Sequence, residues 1–119
     1  MRGVSTQALA VAASITASGS GTSVDVGQYQ GIALLVLNSG AVNAGTNTIR
    51  LQHSADGTTG WADTGDQFAP VTTVASTGQQ EIMVNADKFH RFVRVVDTLA
   101  GGATAVVRSV MIVGRRKYA

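Results

Sequence analysis

The stretch Thr48–Phe68, TIRLQHSADGTTGWADTGDQF, decides the fold. Ile49 and Leu51 alternate with Arg50 and Gln52, the period of two expected of a half-buried strand. Asp56-Gly57 follows. An aspartate that bonds its own backbone and a glycine that tolerates positive φ together mark a tight turn. A short second strand then carries Trp61, the single tryptophan, and another turn precedes Phe68. The stretch reads as the central hairpin of a β-sandwich.

Upstream, Asn38–Asn47 (NSGAVNAGTN) has no periodicity and reads as a loop. Before it, Ile32–Leu37 (IALLVL) is apolar throughout, as in a central strand buried on both faces. Thr22–Val26 is a short alternating strand, and Ser18–Gly21 is a loop. Leu9, Val11, Ala13 and Ile15 recur with period two, which fits an edge strand or an extended N-terminal arm over about residues 1–21. Downstream, Pro70 restricts Phe68–Val74 to an edge or a bent strand. Glu81–Asn85 is a further strand, and Ala86–Arg91 has room for one helical turn with Asp87 near its start. Phe92–Asp97 and Thr104–Val113 are the last strands, followed by a basic tail over 114–119. Arg108 interrupts the final strand and marks either a solvated face or an inward charge that guards an edge.

Seven or eight strands at roughly ten-residue spacing, with no helical period, indicate one all-β domain over 1–119, an antiparallel β-sandwich. The pattern suits a jelly roll or an immunoglobulin-like sandwich.

The 119 residues are enough for one core, and 45% hydrophobic residues make wholesale disorder a poor expectation. Charged residues are only 13%, which suits a surface partly covered by partners. There is no cysteine, so disulfides, thiolate metal sites and cysteine nucleophiles are excluded. No apolar run approaches the ~18 residues that span a bilayer. Ala8–Ile15 resembles a signal-peptide core only in outline, being short, alanine-rich and broken by Ser14, and no cleavage is expected. From Lys88 onward, Lys88, Arg91, Arg94, Arg108, Arg115, Arg116 and Lys117 face only Asp97, while the earlier part is acidic. Strands that fold the two parts together are expected to neutralise most of this asymmetry.

Catalytic signals are weak. His53 and His90 are the only histidines, and no G-x-S-x-G elbow accompanies them. Asp56, Asp63 and Asp66 lie near turns but do not match a calcium loop, so turn chemistry is the better reading. The glycines form no phosphate loop. No enzyme activity, cofactor or metal is therefore expected. The residues assigned to partner binding are Arg115, Arg116, Lys117 and Tyr118 of the basic tail, together with Trp61. The tail suits an acidic protein surface better than nucleic acid, since no stripe of basic and stacking residues accompanies it. Trp61 is expected in the core, with an interface anchor as the alternative.

SVDVGQYQG (23–31), LQHSADG (51–57), FHRFVRV (89–95) and VGRRKY (113–118) together resemble small structural proteins encoded in the head gene clusters of tailed bacteriophages. The resemblance runs from about Ser23 to Tyr118. It implies a virion component of the phage head, made in the host cytoplasm. The expected role is a capsid decoration or cement protein that binds the major capsid protein as a dimer or trimer, with no membrane partner. Another tail, neck or fibre subunit, or a carbohydrate-binding sandwich, are the alternatives.

Overall fold

The computed structural model describes residues 4–74 and 79–116. Nine strands follow in chain order: β1 (Val4–Ile15), β2 (Gly19–Ser20), β3 (Val24–Asp25), β4 (Tyr29–Ser39), β5 (Thr46–Ser54), β6 (Ala62–Gln67), β7 (Gln79–Asn85), β8 (Phe92–Ala100) and β9 (Val106–Arg116). A 3-10 turn, Ala86–Lys88, joins β7 to β8, capped by the Asn85 side chain accepting from the Asp87 N–H. It is the helical turn expected there.

The pairing is nested. β1 pairs with β9, β2 and β3 pair with β8, β4 pairs with β7, and β5 pairs with β6, all antiparallel. Successive pairs alternate between two sheets, which β4–β9 and β5–β8 contacts complete. Sheet I therefore has the order β1-β9-β4-β7, and sheet II the order β2-β8-β5-β6, with β3 also on β8. A long hairpin rolled up in this way is a jelly roll, and this order rules out the immunoglobulin-like alternative. The hairpin β5–β6 is the innermost turn of the roll, as its sequence suggests.

The core lies between the sheets. Leu35, Leu37, Val110 and Ile112 of sheet I meet Ile49, Leu51, Val93 and Val95 of sheet II, and each is at most 2% exposed. Their alternation along each strand is the direct consequence of the two-residue pleat. Gly114 fills a tight place beside Tyr29, where a Cβ would come within 2.7 Å of the ring. Gly57, at φ +79°, supplies the left-handed residue of the Asp-Gly turn.

Of the two readings of the N-terminal run, the edge strand is the one that forms: β1 lies at the edge of sheet I, with Leu9 in the core and the Gln7 amide donating to the Asp25 carbonyl. One expectation changes: Trp61 is not a core residue. It is only partly buried, on the outer face of sheet II, where the Arg94 guanidinium lies 4.3 Å from its ring centre. It precedes β6, outside the alternation that carries side chains inward.

Arg108 turns inward. Its neighbours in the sheet are Ala13 and Ser39, both small, which leaves room for the guanidinium to cross the sandwich. It reaches Asp97 of β8 at 2.7 Å through Nη2 and at 3.0 Å through Nε. Asn47 Nδ2 donates to the same carboxylate at 3.2 Å, and Arg108 Nη1 donates to the Val11 carbonyl. The lone acidic residue after Lys88 is thus the partner of the buried Arg108.

Candidate assembly interface

The start of β1 and the end of β9 meet at one corner of sheet I. Val4 of β1 registers with Arg115 of β9, and Gln30 of β4 flanks Arg115 on the other side. From Val4↔Arg115 to Ala8↔Met111 the β1–β9 register is regular, and the two bulges fall later, between Ala8 and Ala13. Arg115 is exposed within the strand, so the basic segment begins as sheet rather than as a loose tail. Arg116 closes β9, while Lys117 and Tyr118 lie outside the described residues. Trp61, the fifth expected contact residue, sits on the opposite sheet and belongs to a different surface.

The sheet edges differ in chemistry. β6 carries Asp63 and Asp66, and β7 carries Glu81. Charges on an edge discourage pairing with another chain. β1 spans 12 residues, VSTQALAVAASI, with neither charge nor proline. Its first five residues are an unbent edge with backbone groups directed away from β9.

The outer faces differ as well. On sheet II, Arg94 donates to Gln52 at 2.7 Å, Gln52 donates to Asp63 at 3.1 Å, and Arg50 bridges Asp63 at 3.2 Å and Thr98 at 3.0 Å. That face is polar and internally paired. On sheet I the outward residues of β4 are Ile32, Leu34 and Val36, and those of β9 include Val107, Met111 and Val113. The run Ile32–Leu37 has the composition of a strand buried on both sides, yet the chain buries only Ala33, Leu35 and Leu37 fully.

The remaining polar groups have local roles. Asp56 accepts from the Thr58 and Thr59 N–H groups at 2.9 Å and from Thr59 Oγ1 at 2.7 Å. These bonds hold its carboxyl far below the usual carboxylate range, with the Thr59 N–H the largest cause. The turn reading of Asp56-Gly57 is therefore correct. Ser54 is engaged by Asp56 and the Thr59 carbonyl, which withdraws it from His53. His53 does have a partner: its Nδ1 accepts from the His90 N–H at 3.1 Å, and the two rings lie 4.4 Å apart. Burial, and then the neighbouring His90, lower the His53 pKa, against a smaller opposing pull from Asp66. Sequence reading missed this pair, because only the β5–β8 register brings residues 53 and 90 together. Asp25 is held below the ordinary carboxylate range by Arg91, 2.9 Å away, and by the Gly27 N–H. That ion pair joins the acidic and basic parts of the chain, as expected. Among the described residues no helix is long and apolar enough to cross a membrane.

No protein-family model matches the chain, and no curated protein matches it. Solved structures do. A subunit from the Bacillus endospore appendages, described as disulfide-linked pili, aligns over 95% of this chain and 88% of its own, with TM-score 0.52 and 17% identity. Two infectious bursal disease virus structures, one of the Gx strain and one of a VP2 subviral particle, align over 94% of this chain. They do so at TM-score 0.40 with 12% and 14% identity, over 32% of their own chains. The pilus likeness shows a shared β-sandwich fold.

Proposed function

We propose that this chain is a structural protein of a virion, a decoration or cement protein that binds the lattice of a phage major capsid protein. The observation that carries the reading is the uncharged, regular edge of β1 beside the exposed Arg115. An open edge accepts a strand from another chain, and the backbone hydrogen bonds so formed need no particular side chains. Arg115 then selects for an acidic neighbour and sets register, as a rim charge does. Because a lattice repeats the contact many times, each one need only be modest. A protein that binds the assembled shell and not its free subunits stabilises the shell by mass action. The resemblance to phage head proteins and the charge-poor composition support the same reading.

The test uses particles that contain this chain and particles from which its gene is deleted. Hundreds of copies per particle, and shells that open at lower temperature without it, are expected. A handful of copies with unchanged shell resistance overturns the cement role in favour of a neck or tail position. Arg115→Glu is expected to weaken rebinding to depleted shells about tenfold, as loss and reversal of one rim charge does.

A further inference from the structure

We infer that the outer face of sheet I is covered by a second copy of this chain, packed face to face about a two-fold axis running along the strands between β9 and β4. This inference goes beyond capsid binding and does not depend on it.

The register supplies the geometry, since directly paired residues share a face. One row across the sheet is Thr6, Val113, Leu34 and Met83. The next is Ala8, Met111, Val36 and Glu81. These two rows contain a single charge, at the β7 edge. Met83 is 73% exposed and Ile32, beyond the row, is 59% exposed. Leu34, Val36, Met111 and Val113 are each only partly covered.

Size and shape favour a second copy. β4 and β9 have 11 residues each. With 12 residues in β1 and 7 in β7, the four strands make a face of about 650 Å² at ~3.3 Å per residue and ~4.8 Å between strands. Stable interfaces bury about 800 Å² per partner. The face is also graded: β1 presents the small Thr6 and Ala8, and β7 presents the long Met83 and Glu81. The proposed axis lays β1 of one copy over β7 of the other. Met83 then covers Thr6, and Glu81 passes over Ala8 to reach water at the rim. In the middle, Met111 and Val113 meet Val36 and Leu34. An unlike partner requires no such match of long side chains to short ones within one face. The central strands carry no outward charge in these rows; the next outward residue of β9 is Arg115, beside Gln30 at the end of the face. Packing of this kind repeats the jelly roll's own sheet-on-sheet contact at about 10 Å. It also gives Ile32–Leu37 the second buried side that its composition anticipates.

The experiment is sedimentation velocity on the full chain at micromolar concentration. Wild type is expected at twice the chain mass. Val36→Lys places two charges near the axis, and Met83→Lys changes an exposed side chain whose replacement leaves the monomer's core intact. Each is expected to weaken the dimer by about 100-fold or more, as burial of an unpaired charge does. Gln67→Lys, on β6 of the other sheet, is expected to stay dimeric. Circular dichroism confirms that the lysine variants are folded. A monomeric wild type overturns the inference, and so does a dimer that survives both substitutions. Shell binding, read through Arg115→Glu, is a separate outcome: a dimer that fails to bind shells refutes only the capsid reading.

Discussion

Replacing Arg108 with methionine is expected to be among the most damaging single changes in this chain. Arg108 and Asp97 have side chains only 6% and 4% exposed, and two guanidinium nitrogens contact the carboxylate. Arg108→Met keeps the aliphatic stem and removes the charge. Asp97 is then left buried, with Asn47 Nδ2 at 3.2 Å as its side-chain donor among the described residues. Stranding one member of a buried ion pair costs about 3–5 kcal/mol. The double variant Asp97→Leu/Arg108→Met removes both charges. It leaves Asn47 Nδ2 and the Val11 carbonyl without these partners, at about 1–3 kcal/mol for a group that stays dry. Val11 itself is 71% exposed, so its carbonyl has water at hand. The double variant is therefore expected to be about 2 kcal/mol more stable than Arg108→Met alone, given that apolar replacement of such pairs is often neutral or better. Urea unfolding, followed by Trp61 fluorescence at fixed protein concentration, reads both. With a slope of about 2 kcal/mol/M, a loss of 4 kcal/mol lowers the midpoint by about 2 M. A loss under about 1 kcal/mol for Arg108→Met refutes the reasoning, since a desolvated, unpaired carboxylate cannot be that cheap. A double variant no better than the single one does so too.

Trp61→Ala is expected to cost about 1–2 kcal/mol in the same assay, read by circular dichroism, because it loses a surface contact with Arg94 and not a core position. A loss of 3–5 kcal/mol restores the core assignment. Tyr29→Phe is expected to leave stability unchanged or raise it by up to about 1 kcal/mol, because the hydroxyl is buried and has no hydrogen-bond partner among the described residues. A loss above 1 kcal/mol shows that the hydroxyl is satisfied. His53 has a pKa below 6.5 in the fold, so the unfolded chain binds its proton first, and stability falls as pH drops from about 6.5 through the lower folded value. An NMR titration of His53 with a midpoint at or above 6.5, or a His53→Gln variant with unchanged pH dependence of stability, contradicts this.

Much of the fold is visible as alternation. Ile49-x-Leu51 and Val93-x-Val95 face one way because a strand has a period of two, and both pairs lie in the core. Asp56-Gly57 is legible because its chemistry is local: the bonds run to residues two and three positions on. Jelly-roll order is not local, since it depends on which strands meet across the roll. Arg108 shares its parity with the buried Val106 and Val110, which points inward, but Asp97 is on the other sheet and no spacing rule links them. Trp61 follows Gly60 outside any alternating run, so nothing in the sequence sets its side. The candidate interface is half legible. The basic composition of Arg115 and Arg116 is plain in the sequence, whereas their place in β9, against Val4 and Tyr29, comes from strand register. Ile32–Leu37 announces a strand covered on both sides, yet the chain itself fully buries only Ala33, Leu35 and Leu37 of it.

The β1 edge is the surface proposed to join this protein to its assembly. Hydrogen exchange compares the free protein with the same protein on its particle. Amides of Val4–Ala8, at the regular start of β1, are predicted to slow strongly on the particle as an added strand takes up their edge. Unchanged exchange along β1, with new protection around Trp61 and Arg94 on sheet II, contradicts the account and moves the contact to the other face.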